Sequence, residues 1–252
     1  MSTSMSTSSC QLIVTADDFG LCEEVNEGVV IAHRDGIVTA TSLMVRRPHA
    51  ADAVRLAAGM PALAVGLHVD LGEWTHHPGR GWHLTDRVVD VDDADGVRDE
   101  IDRQLGVFVR LSGTTPSHLD GHQHVQRDGP SATVLRELAA RLAVPLRLHD
   151  ERIRHCGAFH GQDGRGAPYP SGITVEALVA IIDDLPDGAT ELGCHPGIAV
   201  PAHLSVYSDE RSLEVATLCD PSVGEALHRR GAVLCRPGDI TPCAGAPDSM
   251  RQ

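Results

Sequence analysis

The sequence predicts an α/β protein built on parallel strands, and three observations point that way. Short β-branched runs alternate with longer segments of helical spacing along the whole chain. Several of the short runs end abruptly in acidic residues or histidines. No internal repeat or low-complexity linker breaks the alternation, so 252 residues fit a single domain. Strand–helix alternation implies right-handed crossovers between parallel strands, which either a barrel or an open doubly wound sheet satisfies. No GxGxxG or GxxxxGK[ST] loop follows the first strand, which argues against a nucleotide site.

The elements follow in order. QLIVTA (11–16) reads as a strand, and CEEVNEGVVIAHRDG (22–36) has helical spacing with Gly36 as its stop. IVTATSLMV (37–45) is a second strand, followed by a helix near HAADAVRLAAG, and LAVGLHV (63–69) is a third. About thirty irregular residues rich in Gly, Asp and His come next. The run DVDDADGVRDE (90–100) reads as a solvated loop and helix start, and a helix over 96–112 leads to a strand at SHLDGH. A helix over 131–142 leads to a fifth strand, PLRLH, and one over 174–185 precedes ELGCH. A last helical region near 209–230 precedes GAVLC. The expected division is a disordered tail over 1–10, one domain over 11–240 and a C-terminal tail over 241–252.

Composition narrows the function. A formal charge of −14 argues against nucleic-acid or anionic-membrane partners, which require a basic face. No apolar run approaches the roughly 18 residues of a membrane span. MSTSMSTSSC lacks the cationic-then-apolar order of a signal peptide, so a cytoplasmic location is the default. The seven cysteines are scattered without a CxxC pair and read as reduced, structural thiols. Fifteen histidines exceed what packing needs and favour metal chemistry.

Four strands end in metal-capable groups: Asp17 and Asp18 in TADDFG, His68 and Asp70 in GLHVDL, the HLDGHQHV cluster, and His195 in CHPG. Parallel β/α architectures gather strand C-termini on one face, so these groups are expected to meet. In extended backbone His118, Asp120, His122 and His124 would share a face, with Gly121 disfavouring a single ion bound by all four. Two imidazoles and a carboxylate make a common catalytic metal set; His68, His122 and one of the paired aspartates would supply it. Adjacent strand-end aspartates diverge, so one can ligate while the other accepts a proton from water. His33, His49, His149, His155, His160 and His203 are assigned to the surface or behind the site. Trp74 and Trp82 lie in the long loop after His68, where exposed indoles suit the apolar faces of sugar rings.

At TADDFG, GLHVDL, HLDGHQHV and CHPG, in this order and at these intervals, the chain resembles the YdjC family of carbohydrate deacetylases. The resemblance runs from about residue 11 to 236. It implies a distorted or incomplete (β/α) barrel of the glycoside hydrolase/deacetylase type, one divalent ion (Mg or Zn), and removal of acetyl groups from N-acetylated sugars. It further implies Asp18, His68 and His122 as metal ligands, Asp17 as catalytic base and His195 as the acid that protonates the leaving amine. Arg147 would orient a carboxylate. Arg147, Asp120, His124, Trp74 and Trp82 are expected to bind substrate or support these residues. The partner is a small acetylated sugar or oligosaccharide; the sequence leaves a homo-oligomer open. Two departures bear on substrate: Arg46-Arg47 stands where members often have Asn-Gly, and Gln126 replaces the last histidine of an HQHVH run. The rivals are a metallohydrolase of another amide or ester, and a non-catalytic sugar- or metal-binding module.

Overall fold

The computed structural model describes residues 10–77 and 79–240. In chain order its elements are β1 (Cys10–Phe19), α1 (Glu23–Arg34), β2 (Ala40–Leu43), α2 (Ala50–Ala57), β3 (Ala64–Val69), β4 (Gly72–His77), β5 (Gly81–Arg87), α3 (Ala94–Ser112) and β6 (Leu119–Gly121). They continue as α4 (Gly129–Leu142), β7 (Ile153–Cys156), α5 (Val175–Asp183), β8 (Gly188–Cys194), α6 (Asp209–Leu218), α7 (Pro221–Arg230) and β9 (Val233–Leu234). Of the tails expected at 1–10 and 241–252, only Cys10 lies within the described residues, and it is the first residue of β1.

The main sheet runs β6-β3-β2-β1-β8-β7, with β9 joining β1, and every pair in it is parallel. The central strand explains why QLIVTA reads as a continuous apolar run: Leu12, Ile13, Val14, Ala16 and Phe19 are all buried. A parallel strand covered on both sides has no polar face to alternate with. Beyond β6 the curl continues for one more step. Leu119 N–H donates to Pro145 O at 2.9 Å and Arg147 N–H to Leu119 O at 3.0 Å. Among the described residues no ladder then joins this segment to β7. Across the gap Arg147 Nε donates to Glu191 Oε1 on β8 at 2.9 Å. The architecture is therefore an incomplete (β/α) barrel, one of the two arrangements that the alternation allows.

Helix ends follow their local chemistry. Asp93, Thr174 and Asp220 cap α3, α5 and α7 with side-chain acceptors, and Gly113 and Gly231 take the left-handed conformation that ends α3 and α7. Among the described residues no helix is long and apolar enough to cross a membrane.

Four sequence expectations are corrected. The irregular stretch after β3 contains the antiparallel β4–β5 hairpin, whose polar, exposed residues carry no hydrophobic alternation to reveal it. PLRLH forms only the single bridge Leu146↔Leu119, because the chain turns after Arg147. The edge strand β7 was missed; its RIRHC surroundings are too polar to read as a strand. The last helical region is two helices divided at Asp220-Pro221.

One close contact sets the position of the turn after β8. A Cβ on Gly28 of α1 would lie 2.4 Å from Gly197 Cα and 2.5 Å from Gly197 N. Helix propensity alone makes Gly28→Ala stabilising by about 1 kcal/mol. Overpacking against backbone costs about 1–3 kcal/mol. Gly28→Ala is therefore expected to lower the unfolding free energy in urea titrations; a stabilised variant would show that the 195–198 turn yields freely.

Candidate active site

The site begins at an irregularity in β1. Thr15 and Ala16 pair in register with Ala40 and Thr41, but the register shifts before Phe19 meets Leu43. Asp18 occupies the interruption with φ of 66°, a left-handed conformation that Asp tolerates better than most residues. The two neighbouring carboxylates consequently point to different partners.

Asp18 faces two imidazoles. Its Oδ1 lies 3.1 Å from His122 Nδ1 and 3.5 Å from His68 Nε2, while Oδ2 accepts from Arg211 Nη2 at 2.6 Å. His68 Nδ1 lies 2.7 Å from Asp120 Oδ1. His122 Nε2 lies 2.9 Å from Glu73 Oε2 on the hairpin. Ligand atoms of Asp18, His68 and His122 all fall within 4.8 Å of one another. Burial acts to raise the Asp18 carboxyl, but Arg211 and the two histidines hold it well below the usual carboxylate range. Burial acts to lower both imidazoles, yet the Asp120 and Asp17 charges push His68 up to about 10. Hydrogen bonds with Asp18 and Glu73 push His122 up to about 9. This half of the site draws positive charge.

Asp17 faces the other way. Arg147 holds it with two parallel hydrogen bonds, Nη1 to Oδ2 at 2.7 Å and Nη2 to Oδ1 at 2.8 Å. The same guanidinium reaches Asp120 Oδ2 at 2.8 Å and Glu191 Oε1 at 2.9 Å. Despite burial, Arg147 keeps the Asp17 carboxyl below its ordinary range. His195 Nε2 lies 3.9 Å from Asp17 Oδ2. Burial pushes His195 down to about 3, a neutral imidazole at rest.

The structure thus brings Asp17, Asp18, His68, His122 and His195 to one cavity of about 590 Å³. His124 lines it too, its ring 5.7 Å from that of His155, and burial pushes it down to about 4. Trp74 and Trp82 form part of the wall from the hairpin. Trp82 is 49% exposed and donates from Nε1 to Gly164 O at 3.3 Å, while Gln123 and Trp74 exchange two hydrogen bonds. Asp120 stands behind His68, bonded also to Ser42 Oγ at 2.5 Å.

Two expected participants point elsewhere. His118 lies 3.0 Å from Ser42 Oγ, packed on Gly66. Extended alternation holds from His118 to Asp120 and then fails, because Gln123 and His124 have positive φ. Asp70 follows the end of β3 and is fully buried between arginines, 2.9 Å from Arg46 Nη1 and 3.1 Å from Arg47 Nε.

The sequence matches the family described as YdjC-like protein over residues 11–229. A carbohydrate deacetylase of Geobacillus stearothermophilus is 33% identical over 238 residues, covering 88% of this chain and 94% of its own length. A chitooligosaccharide deacetylase of Serratia marcescens is 29% identical, with 88% and 96% covered. The chain belongs to the YdjC family. Among solved structures, an Enterococcus faecalis protein described as a candidate cellobiose-phosphate cleavage protein superposes with a TM-score of 0.76 at 25% identity, covering 93% of this chain and all of that one. A family 4 acetyl xylan esterase from Clostridium thermocellum, solved with a cobalt ion, shares the fold alone, with TM-score 0.51, 13% identity, and 91% and 89% covered.

The cavity of this YdjC chain also draws in residues that no sequence motif marked. Glu73 sits on the unrecognised hairpin. Arg211, Glu214 and Tyr207 come from α6 and the loop before it, which carry no motif of their own. His160, assigned to the surface or behind the site, has its ring 5.3 Å from that of His195. The unusual Arg46-Arg47 pair neutralises Asp70, and Arg47 Nη2 lies 3.9 Å from Glu73 Oε2.

Removing Arg147 strands three carboxylates. Arg147→Met is expected to cost about 3–5 kcal/mol at neutral pH. In the variant, burial raises Asp17 and Asp120 above their unfolded values, so the lost stability returns as pH falls from 7 to 5. The native protein behaves oppositely. Its lowered Asp18 and Asp120 contribute fully above about pH 4 and lose that contribution below it. Urea unfolding at both pH values checks the difference; a pH-independent deficit would mean that the carboxylates find other partners.

Proposed function

We propose that this protein is a metal-dependent carbohydrate deacetylase that hydrolyses the N-acetyl group of a small sugar or oligosaccharide. The reading rests on one observation: the left-handed Asp18 splits two adjacent carboxylates between opposite sides of a single cavity. The Asp18 side holds two imidazoles and Arg211, the Asp17 side Arg147 and a third imidazole.

The donor set fits a divalent cation such as Mg or Zn, with Asp18, His68 and His122 as the residues that would hold it. Asp120 accepts the Nδ1 proton of His68 and thereby leaves Nε2 as the ligand atom, a common support for metal-binding histidine. Arg211 engages Asp18 Oδ2 and leaves Oδ1 for the site. The raised His68 and His122 show how strongly the surrounding carboxylates draw a positive charge. Bound there, a divalent cation supplies Lewis acidity toward the acetyl carbonyl and the attacking water.

The remaining steps belong to the protein's own side chains. Asp17, kept ionised and oriented by Arg147, accepts the proton of the attacking water. The proton that Asp17 takes from the water passes to Nε2 of the neutral His195, 3.9 Å from Asp17 Oδ2, and His195 then delivers it to the departing amine, without which an amide nitrogen leaves poorly. Trp74 and Trp82 offer indole faces to the sugar. The 252 residues contain no lysine, so a Schiff-base lyase or aldolase has no amine to use.

Three outcomes are expected. Acetate release from N-acetylglucosamine oligomers stops on chelation and returns with a divalent metal; release only from other acetylated compounds in a panel would redirect the substrate. Asp17→Asn retains one equivalent of metal and loses about 10²–10⁴-fold in kcat; metal loss with activity retained would exchange the roles of the two aspartates. Glu73→Ala weakens metal binding in calorimetric titration by about 10–100-fold, whereas unchanged affinity would make Glu73 a hairpin anchor only.

A further inference from the structure

Behind His195 lies a buried carboxylate that no step above employs. Glu214 of α6 has a fully buried side chain, and both its oxygens are engaged. Oε2 accepts the backbone N–H of His195, and Oε1 accepts the Tyr207 hydroxyl. The Tyr207 oxygen also accepts Gly161 N–H at 2.7 Å. The Tyr207 ring packs on the His195 ring at 5.1 Å between centroids and on His160 at 4.9 Å. Against this dense shell one atom stands out. His195 Nδ1 is buried without a hydrogen-bond partner, and Glu214 Oε1 is 3.9 Å from it.

An unpartnered buried ring nitrogen is costly in a neutral histidine and prohibitive in a cation. We infer that Glu214 is the carboxylate partner of His195, receiving the Nδ1–H of the imidazolium while Tyr207 anchors it. The inference rests on the reading of His195 as the acid. In that step the C–N bond breaks with its electron pair moving to nitrogen, which takes the Nε2 proton, and the imidazolium returns to neutral imidazole. Closing the Nδ1–Oε1 separation to hydrogen-bond length needs about 1 Å of ring movement.

The surroundings suit a partner whose charge responds to the ring. Burial pushes the Glu214 carboxyl up to about 7, with Tyr207, the His195 amide, Arg211 and Asp17 also acting on it. Asp17, Asp18, His160 and Arg211 act on His195 from the remaining sides. Glu214 and Tyr207 are thus positioning residues that work through His195, not on the substrate.

The test compares metal-loaded Glu214→Gln and Tyr207→Phe with His195→Asn on two substrates. An N-acetylglucosamine oligomer needs its leaving amine protonated; p-nitrophenyl acetate, with a stable phenolate, does not. Glu214→Gln is expected to lower the amide-to-ester ratio of kcat by about 10²-fold, with KM for the oligomer within about twofold. Tyr207→Phe, which keeps the ring, lowers the ratio by a smaller factor and serves if Glu214→Gln fails to fold. If His195→Asn lowers the ratio but neither other variant does, Glu214 has no such role and the acid assignment stands. If His195→Asn leaves the ratio unchanged, the acid assignment fails and this inference with it.

Discussion

A single buried guanidinium organises the interior of this barrel. Arg147 is held among Asp17, Asp120 and Glu191, three carboxylates from three strands, with its side chain almost wholly removed from solvent. Charges so deeply buried are tolerated only when each finds an opposite charge and a full set of hydrogen bonds. The consequence reaches past its own contacts. Asp120, fixed by Arg147, fixes His68, and Ser42 joins β2 to the same carboxylate. Glu191 closes, by an ion pair, the gap that backbone pairing leaves open. The geometry of the candidate site and barrel closure therefore depend on one side chain.

The same network sets the electrical character of the cavity. On the Asp18 side the Asp120 and Asp17 charges raise His68, and hydrogen bonds with Asp18 and Glu73 raise His122, so that half favours a cation. On the His195 side burial dominates, the ring is neutral, and a protonatable carboxylate waits behind it. A hydrolase of amides needs such a division, because it must favour anionic oxygen in one place and deliver a proton in another. The backbone device that separates the halves is a single left-handed residue at the end of β1.

The hairpin and the Arg46-Arg47 pair couple the rim to this centre. Glu73, at the base of the hairpin, bonds His122 and Gln123, and Arg47 stands next to it. The indoles on the hairpin thus share an element with a residue that orients a proposed metal ligand. Arg46 and Arg47 are directed at the buried Asp70 rather than into the cavity, so their first effect is to hold the β3–β4 corner. Gln126 remains different in kind: it is buried with both amide atoms unpartnered, and no contact among the described residues explains the exchange from histidine.

The chain's periodicity by itself determined the parallel α/β class, and its strand-end polar groups determined which face of the sheet would be chemical. Those signals are local: an apolar run beside a polar stop, repeated with helical spacers, is visible without knowing where the chain goes. The ordered motifs also contain Asp17, Asp18, His68, His122 and His195, which line one cavity. Tertiary structure alone decided the rest. The pairing of Arg147 with Asp17, the turning of His118 and Asp70 away, and the arrival of Glu73, Arg211 and Glu214 all depend on segments distant in sequence. A polar residue on a helix or hairpin looks like solvated surface until the fold buries it. Only then does the cost of an unpaired charge, negligible in water, dictate which partners it must keep.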